Sequence, residues 1–354
     1  MRDLEQKVNR IMNRRSFKQW LSLPCLWTVA LLTVQAQPVE LEYAPDDGAV
    51  FNVVETVTRV TSVTGADPAV DPVTDVRMRE SVVTVAAAAV PDPDTVITTG
   101  GLTVDVVPDS TAFSNKVTIQ AQSLTRNDNA VASPLHAAFS GLELTYHLDD
   151  QGKLLEIAGY EGVRAAMTAK LPDKLAATLL KLVNHETLRH QDRASYEEVH
   201  GPFTEGSVTP VVNEVSAASH ALPSEGSVVL YSVSTIATVP DEDKIRLTRT
   251  FNSDAAALAM EFDGLEEATI LEAQGMLAST LPDTYASATV SGSEEVLVQT
   301  GGALVESRTL MLVAEWTLQA PDGTTPEVHK VEETREFTAT AVEVQADAAT
   351  AAQP

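Results

Sequence analysis

One short segment with a strict alternation of apolar and polar residues constrains the fold of this chain most. Its alternating residues are Leu142, Glu143, Leu144, Thr145, Tyr146, His147, Leu148 and Asp149. A period of two places the apolar side chains on one face of a strand, so the segment predicts a half-buried β-strand. The following Asp149-Asp150-Gln151-Gly152 predicts a turn, and Leu154-Leu155-Glu156-Ile157 predicts the returning strand of a hairpin.

Much of the remaining chain has the same character. Segments rich in Val and Thr, a composition that favours strands, lie at 50–63, 76–90, 95–107, 115–125, 207–216, 244–251 and 334–344. Alternating runs also begin at Val229 and at Leu310, and the second of these includes Trp316. We therefore predict an α+β fold that is mainly antiparallel β, with a curved sheet or half-barrel.

One region near 160–199 lacks the period of two and is rich in helix-forming residues. Leu175, Leu179 and Leu182 recur there at helical spacing, and Pro172 suits the first turn of a helix. This pattern predicts helices at 161–170 and 173–197, inserted between the strands. A further helix is expected at 266–278, whereas 255–262 is ambiguous between helix and strand.

The order of these elements suggests a domain organisation. We predict a signal peptide at 1–36, a first β lobe with the helical insert at 37–206, a second β lobe at 207–344 and a disordered tail at 345–354. Short matches between the lobes, such as Thr99-Gly100-Gly101-Leu102 and Thr300-Gly301-Gly302-Ala303, leave an internal duplication open. Matches among turn residues also arise by chance.

The first 36 residues predict export. Six basic residues precede an apolar run from Trp20 to Val34, which ends in Val34-Gln35-Ala36 before Gln37. The run is too short for a stable membrane span, and we expect none after cleavage. Arg14-Arg15-Ser16-Phe17-Lys18 resembles a twin-arginine signal, so the general secretory and twin-arginine routes both stay open. The protein is expected in the periplasm or outside the cell.

Composition excludes several functions. The net charge of −26 argues against nucleic acid and against anionic lipid headgroups, which both need clustered Lys and Arg. The single cysteine, Cys25, lies in the signal segment, so we expect no disulfide, thiol nucleophile or cysteine-ligated zinc in the mature chain.

No motif nominates a catalytic residue, a metal site or a cofactor. His185 and His190 lie five positions apart, about 140° around a helix, which does not match the zinc-protease pattern. A Gly-x-Ser-x-Gly motif and a phosphate loop are both absent from the sequence. Asp92-Pro93-Asp94 and Asp241-Glu242-Asp243 offer oxygen ligands for calcium without its full loop register, and we interpret them as solvated loops.

The segment from Leu144 to Glu156, followed by a helical insert, resembles an uncharacterised class of exported bacterial β-rich proteins. The resemblance covers about a third of the chain. It implies an architecture similar to the half-barrel of lipoprotein carriers, in which helices pack into the mouth of a curved antiparallel sheet. It implies no catalytic residues.

Three functions remain open. The first is a non-catalytic binding protein of the cell envelope that holds a lipid, another apolar ligand or a partner segment between sheet and helices. The expected lining residues are Leu144, Tyr146, Leu175, Leu179, Leu182 and Trp316, and the competing interpretation is that they form a closed core. The second is a structural or interaction module acting through its sheet edges and acidic surface on an envelope protein. The third is a hydrolase without a recognisable motif.

Overall fold

A computed structural model describes residues 37–41, 43–65, 70–87, 111–182, 185–204, 207–222, 226–240, 242–301, 305–319 and 325–342. The signal peptide at 1–36, the strand expected at 95–107 and the tail at 345–354 lie outside these residues. Among the described residues, no helix has the length and apolar character needed to cross a membrane.

Fourteen strands run through the described chain. Their bounds are β1 Val39–Glu40, β2 Val50–Thr64, β3 Val70–Thr84, β4 Phe113–Arg126, β5 Asn129–Ala130, β6 Glu143–Leu148, β7 Leu154–Ala158, β8 Ser207–Val208, β9 Val211–Ala221, β10 Ser227–Thr238, β11 Lys244–Asn252, β12 Tyr285–Gln299, β13 Val305–Leu318 and β14 Val328–Ala341. Six helices accompany them: α1 Pro134–Phe139, α2 Glu161–Lys170, α3 Asp173–Leu182, α4 His185–His200, α5 Ala255–Glu261 and α6 Glu267–Glu272.

Twelve of these strands form one large, curved sheet that does not close. Its order is β7-β6-β4-β3-β2-β14-β13-β12-β11-β10-β9, with β5 attached to β4, and all its pairs are antiparallel. The short strands β1 and β8 pair separately. The structure thus confirms the predicted α+β class with a mainly antiparallel curved sheet and a helical insert.

Strands from both predicted lobes belong to this sheet, because β2 pairs with β14 along its length, from Phe51 with Ala341 to Thr64 with Val328. The boundary predicted at 206 lies just before β8, in the connection from the helices to β9. The two-lobe organisation stays a prediction.

The helices differ in detail from the expectation. The helix predicted at 173–197 corresponds to two, α3 and α4, and the one expected at 266–278 is limited to α6. The ambiguous segment forms α5, because Asp254 caps its first turn by accepting hydrogen bonds from the amides of Ala256 and Ala257. The sequence patterns missed α1 and β12.

The two faces of the sheet differ in chemistry. One face, called here the apolar face, carries Val53, Val83, Leu247 and Val296, and its residues pack against α1, α2 and α4 in the largest core cluster. The opposite face is rich in Thr, Ser and Glu along β2, β12, β13 and β14. Alternation along each strand produces this separation.

Beyond the helices, the apolar face continues into a second core cluster. It contains Phe251, Val290 and Ala314, with Trp316 packed against it. The ring of Phe251 lies over Gly292, where any Cβ atom would collide with that ring and with the Met311 carbonyl oxygen. A third cluster lies on the opposite face, where α5 and α6 cover β9 and β10 through Leu258 and Ile270.

Candidate binding site

The structure brings together only two of the predicted groove residues. Leu144 and Tyr146, on β6, are both buried in the largest core cluster. Trp316 lies in the second cluster instead, stacked on His329 with ring centroids 5.4 Å apart. Leu175, on α3, is 37% exposed. The side chains of Leu179 and Leu182 are outside the described part of the chain.

The space between α4 and the apolar face forms a small cavity with a mixed lining. Its volume is about 40 Å³, which suits about three water molecules. The lining residues come from β2, β3, β6, α4 and β14: Glu55, Arg79, Tyr146, Asp192, Ser195, Tyr196, Val199, His200 and Phe337. Carboxylates and a guanidinium thus share one cavity with aromatic rings.

The sheet register explains how charged residues reach this cavity. Arg308, Phe337, Glu55 and Arg79 are cross-strand neighbours in one row over β13, β14, β2 and β3. They alternate with residues of the opposite face, so they point the same way as the apolar residues around them. Each charge on this face therefore needs a partner from the helix that covers it.

Asp192 supplies the partner near the middle of α4. Its carboxylate accepts a hydrogen bond from Arg79 Nη1 at 2.8 Å and another from the Tyr160 hydroxyl. Both side chains of the ion pair are largely buried, at 16% and 17% exposure. Because Tyr160 precedes α2, Asp192 connects two helices to the sheet.

Glu198 supplies the partner in the last turn of α4. It accepts hydrogen bonds from Arg308 at 3.1 Å and from Arg335 at 2.8 Å. Arg308 also donates to Glu294 at 2.8 Å, and Arg335 donates to Glu333 at 2.6 Å. The helix is therefore joined to β12, β13 and β14 through one connected network of charges.

Glu55 and Arg79 give the cavity its polar character. Burial raises the pKa of the Glu55 carboxyl above its ordinary value, although the Arg79 charge acts in the opposite direction. The Nε atom of Arg79 is buried, and no hydrogen-bond partner for it is found among the described residues. The cavity thus offers both an acceptor and a donor to whatever occupies it.

His200 closes the cavity from the last turn of α4. Its ring packs against Tyr196 and Phe337, with centroids at 4.4 Å and 5.5 Å. Burial, with a smaller contribution from the Arg308 charge, lowers the pKa of His200 to about 3. The neutral ring accepts a hydrogen bond at Nδ1 from the backbone N–H of Val305 at 3.4 Å. The ring thus connects the last turn of α4 to the first residue of β13.

Metal ligands do not converge in the described part of the chain, where no group of three or more His, Cys, Asp or Glu side chains is placed to hold an ion. His190 is exposed on α4. The sequence patterns missed Glu55, Arg79 and Asp192. A usable signal was present for Glu55, because it lies on the same face of β2 as Val53 and Val57, its apolar neighbours two positions away on either side.

Comparisons with known proteins find no family for this chain. No protein-family model matches it, and no curated protein matches it. Among solved structures, one of lipovitellin concerned with lipid–protein interactions matches at 8% identity and a TM-score of 0.34, over 88% of this chain. This chain spans about a quarter of that lipovitellin chain, 27%. DynF, from the dynemicin biosynthesis pathway of Micromonospora chersina, matches at 8% identity and a TM-score of 0.16. TM-scores this low do not establish a shared fold.

The buried ion pair predicts a large effect of Asp192→Asn. The substitution leaves the Arg79 charge without its anionic partner, so we expect the free energy of unfolding to fall by about 2–4 kcal/mol. Urea denaturation followed by circular dichroism measures this loss. Glu186→Gln, which neutralises an exposed carboxylate of the same helix, is the matched control. Equal stability of the two variants would contradict a structural role for the pair.

The buried neutral His200 predicts a specific dependence of stability on pH. Its folded pKa, about 3, lies below the ordinary value of 6.5. Between these values the unfolded chain binds a proton that the folded chain does not, so stability falls as the pH falls from 6.5 towards 3. We expect His200→Asn to reduce this slope in urea denaturation series between pH 7 and pH 4. His190→Asn, at an exposed position, should retain the wild-type slope, and identical slopes for all three proteins would refute the assignment.

Proposed function

We propose that this chain is an exported, non-catalytic binding protein that holds an apolar ligand between the apolar face of its sheet and helix α4. The cavity beneath α4 is the observation that carries this proposal. Tyr146, Tyr196 and Phe337 line it, and all three belong to the largest core cluster or pack against it. A ligand there would lie against aromatic rings, with Glu55 and Arg79 available to a polar end.

The way α4 is attached supports its role as the element that moves. Its contacts with β3, β13 and β14 include ion pairs of Asp192 and Glu198, beside the packing of Val199 and Tyr196 in the largest core cluster. When the helix separates from the sheet, water can hydrate the charged side chains of these ion pairs, whereas apolar side chains would become exposed without compensation. The cost of opening at α4 is therefore set mainly by the packing of Val199 and Tyr196 in the core.

The size of the cavity sets a requirement on this mechanism. At about 40 Å³ it is far below the roughly 300–1,000 Å³ of pockets that enclose drug-sized ligands. An apolar ligand thus needs α4 to move outward, which exposes Val199 and the aromatic residues of the largest core cluster.

The properties of His200 support a non-catalytic interpretation. Ser195 and His200 both line the cavity, and a serine with a histidine base is a common hydrolase arrangement. A general base works best when its pKa lies near the operating pH. His200 has a pKa of about 3, and its Nδ1 already accepts a hydrogen bond from Val305.

Filling the cavity tests the ligand site. Ser195→Leu places a bulky side chain between α4 and the sheet, and we expect it to weaken uptake of the apolar fluorophore N-phenyl-1-naphthylamine about tenfold in a fluorescence titration. Ala194→Leu adds the same side chain at the adjacent, exposed position and is the matched control. Uptake that is equal in the two variants would exclude this site, and no uptake by the wild type would exclude the function.

We also propose that the protein acts in the periplasm or outside the cell, with residues 1–36 removed. The basic segment and the apolar run that precede Gln37 support this localisation. Expression in a Gram-negative host should yield a periplasmic product whose intact mass corresponds to a chain that begins at Gln37. Replacing Arg14 and Arg15 by Lys separates the two export routes, because only twin-arginine export depends on that pair. A full-length cytoplasmic product would overturn the localisation.

A further inference from the structure

The two outer edges of the large sheet differ in how they are covered. At the β7 edge, Arg193 donates hydrogen bonds to the carbonyl oxygens of Leu154 and Leu155, at 3.2 Å and 2.6 Å. Arg189 forms an ion pair with Glu156 in the same strand at 3.2 Å. Helix α4 thus provides hydrogen bonds to two carbonyl oxygens of β7 and blocks the addition of a further strand at this edge.

The β9 edge is open. β9 is 11 residues long, and among the described residues β10 is its only strand partner. The backbone N–H of Leu222 donates to the carbonyl oxygen of Gly226, so the backbone groups of Leu222 are directed towards β10. In an antiparallel ladder, successive residues direct their backbone groups alternately towards the partner strand and away from it. The N–H and C=O groups of Val215, Ala217, Ser219 and Ala221 therefore point outward.

Features that hinder the addition of a further strand lie in the first residues of β9. Asn213 has a φ of 54°, and the register with β10 shifts between Ser234 and Ile236. Glu214 adds a charge at this end. From Val215 to Ala221 the register is continuous, and the segment contains no Pro, Lys, Arg, Asp or Glu. Natural proteins commonly use such residues or bulges to prevent strand addition.

The segments that form this edge and the helices beside it carry negative charge only. The sequence has no Lys or Arg from 194 to 243 or from 250 to 307. Helix α6 packs on β9 through Ile270, Val215 and Ala217. The exposed acidic residues of α5, α6 and their flanks are Asp254, Glu261, Asp263, Glu266, Glu267 and Glu272.

The same region also exposes apolar side chains. Val212, Met260, Leu271 and Met276 are all exposed, and they belong to β9, α5, α6 and the turn after α6. Exposed Met and Leu side chains grouped within an acidic surface are typical of protein interaction sites. A second copy of this chain is a poor occupant, because it carries the same net charge of −26.

We propose that the β9 edge binds an extended, basic segment of a partner protein, which adds to the sheet as a further strand. The outward groups of Val215, Ala217, Ser219 and Ala221 pair with its backbone. Its Lys or Arg side chains lie near Glu267 and Glu272, and its apolar side chains lie near Leu271 and Met276. This surface is separate from the cavity beneath α4 and does not depend on the ligand proposed there.

A peptide probe tests this proposal. The probe is a fluorescein-labelled nine-residue peptide of alternating Val and Thr with two Lys at each end, and fluorescence anisotropy measures its binding to the purified protein. We expect saturable binding that weakens as salt is added. The same peptide with Glu in place of Lys, and a version methylated on alternate backbone nitrogens, should each bind at least about tenfold more weakly.

Variants of the protein locate the site. Ser219→Pro removes one outward N–H without affecting the hydrogen bonds to β10, and we expect binding to weaken about tenfold. Ser219→Ala is its matched control and should bind like the wild type. If the Pro variant does not fold, the pair Glu267→Gln and Glu272→Gln serves instead, with an expected loss of about three- to tenfold. Its control is the exposed pair Asp173→Asn and Glu186→Gln on α3 and α4.

Three outcomes would overturn the proposal. The first is that the basic peptide does not bind, and the second is that backbone methylation leaves its affinity unchanged. The third is a stable dimer in sedimentation analysis without peptide that Ser219→Pro dissociates, because a second copy would then occupy the edge. None of these outcomes alters uptake of the apolar fluorophore, so the two proposals fail independently.

Discussion

A wide antiparallel sheet that does not close has to cover its apolar face, and this requirement shapes the whole molecule. Alternation along the strands collects Val53, Val83, Leu247 and Val296 on one face of this sheet, where they need a cover. The helices between β7 and β8 meet most of this need. The second apolar cluster, around Phe251, extends the same face beyond them.

The cover over this face is unusual because its central contact is charged. Arg79, Glu55 and Arg308 occupy an apolar face, so each has to be desolvated and then compensated. Asp192 and Glu198 compensate the two arginines from one helix. These ion pairs fix the position of α4, and Val199 and Tyr196 add apolar packing from the same helix.

Much of the fold could be predicted from sequence, because it depends on local periodicity. The alternation at Leu142–Asp149 and the helical spacing of Leu175 and Leu179 identify their elements without any tertiary information. The strand β12 was missed because its outward residues are Ser and Thr, and because Gly292 interrupts it for a reason that only the Phe251 ring explains. The site was missed for a similar reason, since Glu55, Arg79 and Asp192 come from β2, β3 and α4, which only the tertiary structure brings together.

The pairing of β2 with β14 has a consequence for the order of folding. Phe51 pairs with Ala341, so the middle of the sheet joins two segments from opposite ends of the described chain. Contacts between segments this distant form late, because a long loop has to close first. The two halves of the sheet therefore remain separate during synthesis until β14 is available. During that interval β2 and β13 are both unpaired edges, open to pairing with a wrong strand or with another chain.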